Sequence, residues 1–205
     1  MSFELHAAEY NVLKEIILVV AAYLLGSIPT GLLLARAFGV DIRSTGSGNI
    51  GATNVYRTLG RKVGVMTLVG DCLKGLVPVM AARCLGVSGG WIALVGLAAF
   101  LGHVYTIFLG FKGGKGVATA LGVFLGISPV AVLAALAIFS LVLWKWRYVS
   151  LASITAAAAM PVLVTLIGQK SYVPLMSLAI AAVVIHKHRE NIERLRAGTE
   201  NKFKA

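Results

Sequence analysis

Apolar residues come in long runs along this chain, not in the short alternations of a half-buried sheet. The runs occupy about 16–38, 63–86, 91–111, 117–144, 149–168 and 172–186. A helix needs ~20 apolar residues to cross a bilayer, and fewer where the bilayer thins or the helix ends in a cavity. Six runs are visible, but the charges between them ask for seven crossings. The loop 39–62 carries Arg43, Arg57, Arg61 and Lys62 against Asp41 alone. Lys112 and Lys115 mark a second polar segment, Lys145 and Arg147 a third, and the tail adds six more cations. Cytoplasmic loops collect Lys and Arg. If all four segments face the cytoplasm, an even number of crossings separates each from the next.

Parity is met when the run 117–144 is broken at Gly126-Ile127-Ser128-Pro129 and turns back as a hairpin. Its first limb, near 117–127, is then short, and such a limb is tolerated only when buried among other helices or lining a cavity. The pattern predicts an all-α polytopic membrane protein with seven transmembrane segments, amino terminus outside and carboxyl terminus cytoplasmic. The short limb would start at Lys112-Gly113-Gly114-Lys115-Gly116 and aim its positive helix end at a site. No internal repeat or linker divides residues 1–205, which read as one integral membrane domain.

Composition supports the class. Hydrophobic residues make up 58% of the chain and charged residues 13%, about half the charged share of a soluble domain. A net charge of +11 would suggest nucleic acid in a soluble protein. Here the cations lie between apolar runs, so topology explains them first, and anionic substrates or lipid head groups second. Cys72 and Cys84 share one apolar run, and no Cys/His spacing suits a metal or a structural disulfide. Glu4, Glu9 and Glu15 against Lys14, with no small-residue cleavage site, read as an exported amino-terminal extension and not as a signal peptide.

Three polar stretches carry the candidate chemistry: 44–57, with Ser47, Asn49, Thr53, Asn54 and Arg57; 112–116, with Gly113, Gly114 and Lys115; and 186–191, with His188 and Asn191. Glycine frees backbone N–H groups to converge on an anion, and neighbouring cations reinforce the site. Glycines that only close tight turns, and cations that only fix topology, would account for one such stretch. Three placed on one face by parity point to a phosphate site. Gly46-x-Gly48-x-x-Gly51 is no dinucleotide fingerprint, because no strand precedes it and Asp71 lies inside the next span. Lys115 is followed by Gly116 and Val117, where a Walker loop would place a magnesium-binding hydroxyl.

Within the spans, Asp71 and Lys74 share a helix face and pair, either as a relay or as a structural floor to the site. His103 reads as a buried histidine satisfied by a neighbouring helix. Gly122-x-x-x-Gly126 marks close packing, and Gly26-Ser27-Ile28-Pro29-Thr30-Gly31 bends the first span, with or without a pocket for an acyl chain. Trp144, Trp146 and Tyr148 beside Lys145 and Arg147 form an interfacial belt. His188 and Asn191, one turn apart, can close over a polar substrate; a basic anchor on anionic lipid is the plainer reading of that tail.

Together these segments resemble the bacterial acyl-phosphate:glycerol-3-phosphate acyltransferase (PlsY) family. The resemblance covers nearly the whole chain, from Gly26-Ser27-Ile28-Pro29-Thr30 to Lys202, and includes Ser47 to Arg57, Gly102-His103, Phe111 to Thr119 and His188 to Ile192. It implies a seven-span fold in the bacterial inner membrane with its site facing the cytoplasm. It implies transfer of a fatty acyl group from acyl phosphate to the 1-hydroxyl of glycerol 3-phosphate. Lysophosphatidic acid and phosphate result, without metal, organic cofactor or obligate protein partner. On these residues Arg57, Lys115 and His188 offset the repulsion of two anions, and Ser47 and Asn191 join them at the reacting groups. Gly113, Gly114, Asn49, Thr53 and Asn54 cradle phosphate oxygens. The proton of the hydroxyl goes to His188, if the nearby cations keep it neutral, or, as the resemblance implies, to a substrate phosphate oxygen. A phosphate-ester transporter shares the phosphate loops but predicts two related halves, which the chain lacks. A lipid-binding scaffold leaves the two glycine loops unexplained. No His is followed five positions later by Asp, which sets aside the acyltransferases that use that motif.

Overall fold

The computed structural model describes residues 2–203, with side chains described from Asn11 onward. Glu4 and Glu9 of the acidic extension lie outside the described side chains. Every regular element among the described residues is helical: α1 Ser2–Ser27, α2 Thr30–Ala37, α3 Ala52–Cys84, α4 Gly89–Val104, a short 3-10 turn Ile107–Leu109, α5 Val117–Ile127, α6 Pro129–Trp146, α7 Val149–Leu166, α8 Tyr172–Lys187 and α9 Arg189–Arg196. Five stretches, Asn11–Ala37, Ala52–Cys84, Gly89–Leu109, Pro129–Trp146 and Val149–Leu166, are long and apolar enough to cross a membrane. Val117–Ile127 and Tyr172–Lys187 are shorter apolar helices. The outward faces suit lipid, with Leu133 68% and Leu141 64% exposed.

The first apolar run does more than bend: it breaks at Ile28-Pro29, between α1 and α2. Backbone carbonyls freed at such a break need partners. Thr106 donates its hydroxyl to the Ser27 carbonyl at 2.6 Å, and Lys74 donates from Nζ to the Ile28 carbonyl at 2.7 Å. Gly26 serves packing, since a Cβ on it would meet the Ala99 carbonyl of α4, and a separate shallow cavity of about 340 Å³ lies at the break beside Ile28 and Pro29.

The 39–62 segment is less of a loop than its polarity suggests. Helix α3 already starts at Ala52, so Thr53, Asn54 and Arg57 sit on its first turns, and the chain kinks at Gly60. Gly60 has φ 82° with nothing near a would-be Cβ, so its backbone, not space, calls for glycine. The run 117–144 divides at Ser128, and Pro129 opens α6, where a missing N–H costs nothing. Short α5 lies closely on α3: a Cβ on Gly75 would strike the Thr119 carbonyl, and one on Gly122 the Cys72 carbonyl. A core of Phe100, Val123, Val132, Val164 and Val184 joins α4 through α8.

Candidate active site

A cavity of about 470 Å³ lies among α3, α5, α6, α7, α8 and α9. One end is polar, lined by Ser47, Arg57, Lys115, His188, Asn191 and Glu200. The other arm is apolar, with Leu68, Phe124, Leu136, Phe139, Ala157 and Met160 along its wall. Leu68 of α3 and Leu136 of α6 line this arm and keep 43% and 41% of their surface exposed. The eleven-residue α5 packs against both α3 and α6.

At the polar end the three sequence stretches meet. Lys115 donates a short hydrogen bond to the Asn191 carboxamide oxygen, joining the start of α5 to α9. His188 stands at the bend between α8 and α9, 3% exposed. Its Nδ1 lies 2.7 Å from the Val184 carbonyl. A carbonyl only accepts, so Nδ1 carries the proton and the Nε2 lone pair is left for a ligand. Burial, and to a lesser degree the Lys115 charge, pushes His188 down to about 4 against the support of the Val184 hydrogen bond, so the ring is neutral at pH 7. Burial, followed by the Arg194 charge, likewise lowers Lys115 to about 8, leaving it mostly protonated. Arg57 reaches in from α3 and donates to the Asn201 carbonyl at 3.2 Å. Ser47 is exposed at the rim, and Thr53 is half-buried on the first turn of α3.

Two expected phosphate-cradle groups do other work. The Gly113 and Gly114 amides donate to the Val104 and His103 carbonyls at 3.1 and 3.2 Å, so they are already taken, and neither glycine lines the cavity. A Cβ on Gly114 would collide with the His103 imidazole. These glycines seat Lys115 by close approach to the end of α4. Asn54 is saturated too: its amide donates to the Ile42, Thr45 and Asn49 carbonyls, and its oxygen accepts from the Ser47 N–H at 2.9 Å. It staples the 42–49 loop that holds Ser47. Asn49 lines the cavity while its side-chain oxygen accepts from the Gly51 N–H at 2.8 Å.

Below the site, Lys74 meets Asp71 at 2.8 Å and His103 Nδ1 at 3.2 Å. Asp71 and His103 themselves line the cavity, while Lys74 anchors the α1–α2 break and His103 backs the seat of Gly114. The polar groups that pattern reading missed are in the tail. Glu200, its side chain 5% exposed, accepts from Asn191 at 2.7 Å, Ser150 at 2.8 Å and Arg194 at 2.7 Å. The only sequence signal for it is a single acid in the segment after α9, 197–205.

The family model for glycerol-3-phosphate acyltransferase matches residues 16–198. A glycerol-3-phosphate acyltransferase of Geotalea daltonii is 74% identical over 191 residues, covering 93% of this chain and 98% of that protein. One from Aquifex aeolicus is 49% identical over 193 residues, covering 93% and 100%. The crystal structure of the integral membrane glycerol 3-phosphate acyltransferase PlsY in its glycerol 3-phosphate form superposes with a TM-score of 0.88 at 47% identity, covering 93% of this chain and 96% of that one. Its lysophosphatidic acid form gives 0.86. Matches over nearly the whole length, with a cationic pocket and an apolar arm in one cavity, place the chain: it belongs to the glycerol-3-phosphate acyltransferase family, and it is an all-helical integral membrane protein.

Proposed function

We propose that the chain, as one domain of seven membrane segments, transfers a fatty acyl group from acyl phosphate to the 1-hydroxyl of glycerol 3-phosphate. Lysophosphatidic acid and inorganic phosphate are the products, and the step opens phospholipid synthesis. The observation that carries this reading is the junction of a cationic pocket with an apolar arm in one cavity. One end suits two phosphate groups, the other a hydrocarbon chain. The cation-rich loops support a site on the cytoplasmic side, with the amino terminus outside.

Acyl phosphate is a mixed anhydride and arrives activated. The protein's task is alignment and charge neutralisation. Lys115 and Arg57 hold the two phosphates near one another, and Ser47 donates from the rim. Asn191, fixed to Lys115, positions the acceptor. His188 at about 4 is a weaker base than a phosphate monoester, whose second pKa is ~6. The proton of the 1-hydroxyl therefore passes to a substrate phosphate oxygen. His188 orients the glycerol backbone by accepting a hydrogen bond at Nε2. The hydroxyl oxygen attacks the acyl carbonyl, the bond between the acyl carbon and the bridging oxygen breaks, and inorganic phosphate leaves with the bridging oxygen and the proton.

Phosphate release by the purified protein with palmitoyl phosphate and glycerol 3-phosphate tests the assignment. Release is expected only with both substrates and not with palmitoyl-CoA. Tight binding of glycerol 3-phosphate without turnover would favour a transporter instead.

A further inference from the structure

The tail after α9 does not trail away from the protein. Residues 197–203 turn back across the mouth of the cavity and are pinned along their length. Phe203 donates its N–H to the Arg147 carbonyl at 2.6 Å, and Arg147 Nε donates to the Phe203 carbonyl at 3.2 Å. The Phe203 ring lies 5.8 Å from that of Tyr56 on α3. Between these contacts and α9, Glu200 is driven into a three-donor cradle made by α7 and α9. A buried carboxylate with three good donors keeps its charge. Burial opposes that charge, but the Arg194, Asn191 and Ser150 hydrogen bonds outweigh it and hold the Glu200 carboxyl below its ordinary range.

The Asn191 carboxamide lies between Glu200 and Lys115. A carboxylate only accepts and an ammonium only donates. The amide therefore has one compatible orientation, NH2 toward Glu200 and oxygen toward Lys115, as found. Turning the amide over would set two donors against each other and two acceptors against each other. We propose that Glu200 is a positioning residue: through the Asn191 carboxamide it sets the direction and the charge of the Lys115 ammonium. The role builds on the acyl-transfer reading, and Glu200 lies beyond the residues that the family model matches.

The charges that act on Lys115 are Arg194 and Glu190 from α9, Lys187 from the end of α8, and Glu200 from the tail, with His188 beside it and Arg57 across the cavity. Glu200 and Glu190 raise its pKa; Arg194 and Lys187 lower it. Glu200→Gln therefore favours the neutral amine, and Arg194→Gln favours the ammonium.

The test is trace acetylation of Lys115 across a pH series in the folded full-length protein, read by peptide mass spectrometry. The wild-type midpoint is expected near 8. Glu200→Gln should lower it by about one pH unit and Arg194→Gln should raise it, a size fitting charges a few ångströms apart at an effective dielectric of ~20 to 40. Opposite shifts support the role, because mere loosening of the tail would move both variants the same way. Midpoints that stay put, or that move together, overturn it. If Glu200→Gln does not fold, Glu200→Asp decides, since it keeps the charge but draws the carboxylate back from Asn191: a lowered midpoint supports the role and an unmoved one overturns it. With turnover, the alkaline limb of phosphate release should follow the labelling midpoint. A wild-type protein that releases no phosphate would sink the acyl-transfer reading, while the labelling midpoints would still judge Glu200.

Discussion

At the scale of single residues, the site depends on two groups whose pKa values burial lowers. His188 at about 4 is neutral through the working range, and Lys115 at about 8 is charged over most of it. A cation that binds phosphate acts in its protonated form, which is full below its pKa and lost as pH rises through it. kcat/KM for phosphate release should therefore fall above pH ~8 with no inflection from His188 between 5 and 8. An inflection near 6.5 that His188→Gln abolishes would contradict this and restore the histidine base. Lys115→Ala should lower kcat/KM by roughly 10²–10³-fold, the usual loss when one preorganised electrostatic partner of a reacting group is removed. Near-wild-type release from that variant would exclude Lys115 from the reacting centre. Asn54→Ala should act differently. It deletes four hydrogen bonds of the 42–49 loop, so a lower thermal midpoint should accompany the lost activity.

At the scale of elements, the helices are placed by small residues and by the satisfaction of freed backbone groups. Gly114→Ala drives a methyl into the buried His103 ring, and overpacking of this kind costs ~1–3 kcal/mol. Gly60→Ala meets no neighbour but must hold φ 82°, at a cost of about 1 kcal/mol. Thermal unfolding of both variants should rank Gly114→Ala as the more damaging, and activity should follow that order because Gly114 seats Lys115. Much of this layer was legible beforehand. Hydropathy showed the apolar runs, Ser128-Pro129 marked the split between α5 and α6, and the Asp71–Lys74 spacing announced a pair. The start of α3 at Ala52 was hidden because its first turn is polar and follows a glycine-dense loop. The work of Gly113-Gly114 was hidden for another reason. A glycine pair fits an anion cradle and a close approach equally well, and only the position of the His103 and Val104 carbonyls separates the two. Glu200 left little pattern, since its near partners Asn191 and Arg194 lie across the turn that ends α9 and its third, Ser150, is fifty residues away.

At the scale of the whole molecule, polar and apolar matter are sorted within one cavity, and this division dictates how bulk should act. Ala157→Trp in the apolar arm should shorten the longest acyl phosphate accepted and leave the apparent KM for glycerol 3-phosphate nearly unchanged. A matched loss for short and long donors would detach the arm from acyl binding. Entry of the acyl donor into the apolar arm past its wall residues Leu68 and Leu136 would have a kinetic meaning of its own. A donor that enters there is counted per lipid, not per litre. Adding inert lipid at constant bulk amounts of protein and acyl phosphate should slow turnover, while the same addition leaves the response to glycerol 3-phosphate tied to its volume concentration. The protein would then obey a two-dimensional rate law for one substrate and a three-dimensional law for the other, and its product would form already resident in the leaflet.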